Sequence, residues 1–138
     1  MSLLEKQNAI IDEFNFFEDW MQKYEYIIEL GKELPKIKEE NKTELNLIEG
    51  CQSRVWLKSN FENDRMLFFA DSDAIITKGI ISLLIQVLNK EKPVDIVKAN
   101  LFFISEIGLQ EHLSPTRANG LLSMVNRMKQ DALKYINF

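Results

Sequence analysis

The stretch Glu49-Gly50-Cys51-Gln52-Ser53-Arg54-Val55-Trp56 holds the single cysteine of the chain. One thiol makes no intrachain disulfide, and it cannot supply the several soft ligands of a closed zinc or iron–sulfur site. It can act as a nucleophile or carry a sulfur atom, provided it is accessible and can reach its thiolate form. Gly50 suits that use, because glycine lets the backbone turn with φ > 0 and leaves room beside the thiol. The competing reading of a lone cysteine is a small buried hydrophobe. Gln52 and Ser53 are turn-forming types that can also hydrogen-bond the loop in place.

Other polar residues admit two readings each. His112 together with Cys51 would allow a thiol-dependent hydrolase or transferase, the imidazole taking the thiol proton. No Asn or Asp stands out to orient such an imidazole, and a structural histidine beside a helix cap is the alternative. Asp71 and Asp73 could be paired carboxylates for acid–base work or a metal, but a helix start accounts for both as caps. Lys78 and Arg117 read as single charges on solvated helix faces. If Ser114 is an N-cap, Arg117 puts a cation at the positive end of a helix dipole. That cost calls for an offset: either a carboxylate such as Asp71 or Asp73, or a docking role for Arg117.

These residues must be positioned by helices and a small sheet. Phe14, Phe17, Met21, Tyr24 and Ile28 recur at spacings of three and four, a helical stripe. Asp19 can cap a second helix with Gln22 in the capping-box position, and the segment ends at Gly31 before Pro35. Lys36 to Glu44 is polar and reads as a solvated loop. Three strand-like runs follow: Leu45 to Glu49, Ser53 to Ser59, and Arg65 to Ala70, with Asn60 to Asp64 as a hairpin loop. In the second run Val55, Leu57 and Ser59 share one face. Ser72 or Asp73 should cap a helix from Ala74 to about Asn89, in which Gly79 marks close approach of another backbone. Pro93 suits the first turn of a short helix through Val97, and Phe102 to Ile107 is another, closed by Gly108. Ser114-Pro115 opens a last helix toward Ile136, with Ala118, Leu121, Leu122, Val125, Met128, Ala132 and Ile136 as its apolar face.

The 138 residues make one domain, with 46% apolar and 28% charged residues, ordinary for a soluble globular protein. A net charge of −4 offers no basic stripe for nucleic acid. The N-terminus, Met1-Ser2-Leu3-Leu4-Glu5-Lys6, lacks the apolar region of a signal peptide, and no apolar run reaches membrane-helix length. The expectation is a cytoplasmic protein, which suits a free thiol.

Gly50-Cys51-Gln52-Ser53, one variable residue, then Val55-Trp56 resembles the cysteine loop of the SufE family, sulfur acceptors for cysteine desulfurases in iron–sulfur cluster assembly. Further blocks match in order: Tyr24-Glu25-Tyr26-Ile27-Ile28-Glu29-Leu30-Gly31, Asp71-Ser72-Asp73-Ala74 with Lys78-Gly79, and His112-Leu113-Ser114-Pro115-Thr116-Arg117 with Asn119-Gly120-Leu121. The resemblance covers nearly the whole chain. It implies an α+β fold, helices packed on a small three-stranded antiparallel sheet, shared with the U-type scaffold proteins. It implies no cofactor, and that Cys51 accepts persulfide sulfur from a pyridoxal-phosphate cysteine desulfurase (SufS-like or CsdA-like), stimulates it, and passes the sulfur to a cluster scaffold. The protein would then be an acceptor rather than an enzyme. Glu49, Gly50, Gln52 and Ser53 would support the loop; Asp71, Asp73, Lys78 and Arg117 would meet the partner; homodimerisation stays open. A persulfide is vulnerable in water, so Cys51 is expected mostly buried against the following strand and a neighbouring helix, with Gly50 at positive φ.

Overall fold

The computed structural model describes residues 1–136. Two helices open the chain. The first, α1 (Leu3–Asn15), is capped by Ser2 and Glu5 bonding each other's backbone N–H. In the second, α2 (Trp20–Gly31), Asp19 accepts the N–H of Gln22, as its position suggested. Phe14 and Ile27 are fully buried, whereas Met21 of the expected apolar stripe faces solvent at 72% exposure. The polar stretch from Lys36 contains single 3-10 turns at Glu39–Asn41 and Glu44–Asn46.

Among the described residues there are two strands, not three. β1 (Val55–Glu62) pairs antiparallel with β2 (Arg65–Ser72), from Val55 opposite Ser72 to Glu62 opposite Arg65. Asn63 and Asp64 turn the corner with φ of 52° and 63°, a two-residue turn tighter than the expected Asn60–Asp64 loop. The run Leu45–Glu49 is no strand: it makes a 3-10 turn and one bridge, Leu47 to Trp56. On the other edge Lys36 bridges Ala70, and Met66 of β2 exchanges backbone hydrogen bonds with Lys90 and Glu91.

The helix α3 (Ile75–Leu88) is nearly all buried, and packs between the ribbon and α2. Gly79 allows that approach: a Cβ there would collide with the Ile27 carbonyl oxygen of α2. α4 (Pro93–Lys98) begins at proline as expected. α5 (Phe103–Glu106) is followed by Gly108 at φ 74° and by one turn not anticipated, α6 (Leu109–His112). The last helix, α7 (Pro115–Leu133), is capped by Ser114, packs on α3, α4 and β1, and stops short of Ile136. Its inner face uses Met124, which the apolar pattern omitted, while Leu122 is 49% exposed. Helix α7 and β1 advance together from the same end of the molecule, and the cysteine loop lies there.

Candidate functional site

Gly50 takes φ +90°, as a turn beside the thiol requires, and a Cβ on it would collide with Ser123 Oγ of α7. Glycine therefore lets the loop lie flat against the last helix. Cys51 follows and is half-buried; its S–H donates to the Gly120 carbonyl at 3.6 Å. Cys51 packs against the hydrophobic core cluster. A cavity of about 350 Å³ opens beside the thiol, lined by Gln52, Ser53, Thr77 and Ile80 of α3, and Ser114, Thr116, Arg117, Gly120 and Met124 at the start of α7. Burial pushes the Cys51 thiol above its ordinary range, because a thiolate loses hydration there. The resting thiol is protonated at neutral pH and slow as a nucleophile.

The loop is tied at both ends, and between them its one side-chain bond among the described residues is that of Cys51 to Gly120. Downstream, the Arg54 N–H donates to Asp73 Oδ1 at 3.1 Å, and the Arg54 carbonyl accepts from Ser72 Oγ at 2.8 Å. Ser72 and Asp73 do not cap α3 as expected; its N-cap is Ala74, with no side-chain cap bond. Their polar atoms instead hold the exit of the cysteine loop, although Ser72 Oγ also accepts the Ala74 N–H at 3.2 Å. Upstream, the Ile48 N–H donates to the Val55 carbonyl at 2.8 Å. Arg127 of α7 donates to the carbonyls of Leu47 at 3.2 Å and Leu45 at 2.8 Å. Arg127 is itself steadied by Asp131, which accepts from Arg127 Nε at 3.2 Å and Ser59 Oγ at 2.7 Å. The bonds that fix the loop thus come from Ser72, Asp73 and Arg127, not from the side chains of Gln52 and Ser53. Glu49 and Gln52 are exposed.

Asp71 points inward, with its side chain 6% exposed, and three lysines gather on it: Lys42 at 2.8 Å, Lys78 at 3.3 Å and Lys36 at 3.8 Å. Burial alone would raise its pKa; hydrogen bonds from Lys42, the Ser72 N–H and Lys78 outweigh that and hold the carboxyl below its usual range. The same contact, with a second from Glu39, raises Lys42. This cluster fastens the segment before the loop to the end of β2 and the start of α3. Asp71 and Asp73 therefore do separate work and form no carboxylate pair. Arg117 is exposed at the cavity mouth and pairs with neither aspartate; among the described residues its guanidinium has no hydrogen bond or ion pair, while its backbone N–H is held by Ser114 Oγ at 3.3 Å.

His112 is occupied away from the thiol. Its Nδ1 lies 3.0 Å from the Gly108 carbonyl, and its ring stacks on Trp20 at 4.0 Å. It does not line the Cys51 cavity, so the structure does not assemble the Cys51–His112 pair that a hydrolase would need. Among the described residues no group of three or more His, Cys, Asp or Glu could hold a metal ion, and no helix is long and apolar enough to cross a membrane. Sequence reasoning missed Arg54, Gly120, Met124 and Arg127, all of which act through contacts distant in the chain.

Comparison with known proteins shows the family and the fold. Residues 8–132 match the family model described as "SufE: Fe-S metabolism associated domain". An uncharacterized SufE-like protein of Rhizobium etli is 43% identical over 91% of this chain and 88% of its own. One from Synechocystis is 36% identical over 91% of this chain and 79% of its own. SufE-like protein 1 of Arabidopsis thaliana, chloroplastic/mitochondrial, is also 36% identical; the match spans 93% of this chain and 35% of that longer protein. The solution structure of a hypothetical protein from Thermus thermophilus superposes with a TM-score of 0.77 over 94% of each chain, at 20% identity, and so shares the fold. With the family matched along 8–132 and its cysteine held in a loop over a cavity, the chain belongs to the SufE family.

Proposed function

We propose that the protein is a sulfur acceptor in iron–sulfur cluster assembly, with Cys51 as the atom that receives and carries the sulfur. The observation that carries this reading is the half-buried Cys51 thiol beside a cavity, in a loop hydrogen-bonded firmly at its two ends and held between them by the weak S–H bond to the Gly120 carbonyl. The donor is the persulfide of a pyridoxal-phosphate cysteine desulfurase. The Cys51 thiolate attacks the outer sulfur of that persulfide. A new S–S bond forms on Cys51 as the donor's S–S bond breaks, and the electron pair leaves with the donor's inner sulfur as a thiolate. The exchange involves no net oxidation, and it clears the desulfurase for another turnover. Onward delivery to a cluster scaffold repeats the step with Cys51 as the donor.

In the resting loop the thiol is protonated and half-buried. The acceptor state therefore needs the loop displaced, and a docked partner can supply that energy by binding the open form better than the closed one. Arg117 at the cavity mouth is the docking cation in this reading, because no aspartate of its own chain holds it. Lys78, ion-paired with Asp71 at 3.3 Å, offers the partner a second cation away from the cavity, while Asp73 is the latch and Asp71 the anchor behind it. The protein acts as a carrier in the cytoplasm and not as an enzyme. Desulfurase turnover with cysteine tests this: the wild-type chain should stimulate it, and Cys51→Ser, though folded, should not. Equal stimulation by both would overturn the acceptor role.

A further inference from the structure

The chain has five glycines, and four have a backbone or packing reason. Gly50 and Gly108 take positive φ. A Cβ on Gly79 would collide with the Ile27 carbonyl, and one on Gly31 would come within 3.1 Å of the Gly79 nitrogen. Gly120 has no such reason. It is buried inside α7, where alanine is the better helix former. A Cβ on it would lie 3.5 Å from Cys51 Sγ and 4.0 Å from Cys51 Cα and Cβ, ordinary contact distances. The resting thiol would tolerate alanine at this position, so it does not account for the glycine.

We infer that Gly120 is a positioning residue for the carried sulfur: its missing side chain leaves the sheltered space that the outer sulfur of a Cys51 persulfide occupies when the loop is closed. This rests on the sulfur-acceptor reading. The outer sulfur adds an atom about 2.05 Å from Sγ, and a methyl in contact with Sγ from the Gly120 side would take the volume it needs. The thiol already points that way, donating to the Gly120 carbonyl. The other route out of the cavity passes Ser114, Thr116 and Arg117, all exposed. An outer sulfur directed there meets water and reductants, whereas one beside buried Gly120 does not. With alanine at 120, the loaded loop must either open or turn its sulfur toward solvent.

The test compares loaded wild type with Gly120→Ala, both charged by a cysteine desulfurase and cysteine, then freed of donor and exposed to dithiothreitol. Loss of the Cys51 persulfide is followed by mass spectrometry as a first-order decay, independent of the initial extent of loading. Gly120→Ala should fold, and its unloaded thiol should alkylate at close to the wild-type rate. Its persulfide should decay about tenfold faster, the factor expected if overpacking shifts the closed loop toward the open form. Equal decay rates would overturn the inference while leaving the acceptor role intact. Failure of the wild type to load at all would overturn the acceptor role itself. A measurement on wild type alone guards against a misfolded variant. If the space at Gly120 holds the outer sulfur, loading should leave the melting temperature and the protease sensitivity of the loop unchanged; a loop opened by loading would contradict the inference.

Discussion

Asp73 Oδ1 accepts the backbone N–H of Arg54 at 3.1 Å, joining the exit of the cysteine loop to the turn that opens α3. That bond sits at the surface, where a partner can compete for it. Asp73→Ala is expected to lower stability by about 0.5–1.5 kcal/mol, the usual net worth of one hydrogen bond. It should also speed alkylation of Cys51 several-fold, because the loop opens more often. An unchanged alkylation rate would assign the restraint to Arg127 and the Leu45 and Leu47 carbonyls instead.

Cys51→Ser separates carrier from core. The thiol is only half-buried, so the replacement should change stability by less than about 1 kcal/mol. A loss well beyond that, measured by denaturant unfolding, would make Cys51 a packing residue first.

Two pH effects follow from opposite shifts. Burial raises the Cys51 pKa above its ordinary value of 9.0, so alkylation should climb with pH along a curve displaced to the alkaline side of a small thiol. Asp71 is lowered from 3.8, so its stabilising contribution is present above that pH and is lost as pH falls through the folded value. Asp71→Asn should therefore destabilise the protein at neutral pH and flatten the acid limb of its stability curve. An acid limb as steep as wild type would place the dependence on other carboxylates.

Arg117 lies in the first turn of α7, exposed, with its backbone N–H on Ser114 Oγ. Removing a cation from the positive end of the dipole should leave the melting temperature unchanged or slightly higher. Arg117→Ala should weaken desulfurase binding by more than about tenfold, a loss of roughly 1.4 kcal/mol or more. Earlier melting with normal binding would give Arg117 a structural role.

Much of this site is legible in the sequence where the controlling interaction is local. Gly50 announces a positive φ, Asp19 and Ser114 cap the helices that follow them, and Gly79 marks the crossing of α2 and α3. What stayed hidden is set from far along the chain. Leu45 to Glu49 has the composition of a strand, but Arg127 draws the Leu45 and Leu47 carbonyls toward α7, and the segment coils into a 3-10 turn. Asp73 has the propensity of a cap, yet its oxygen reaches back to Arg54 across the ribbon. Asp71 reads as a helix-start carboxylate until three lysines converge on it. Gly120 stands in a block that resembles the family, but only the neighbouring thiol gives its absent side chain a meaning.

The most direct test of the account is mass spectrometry of the Cys51 peptide after incubation with a cysteine desulfurase and cysteine. The account predicts one added sulfur on Cys51, removable by dithiothreitol, and no adduct at position 51 in Cys51→Ser. A desulfurase stimulated by the wild-type protein while Cys51 stays unmodified at every time point would contradict it.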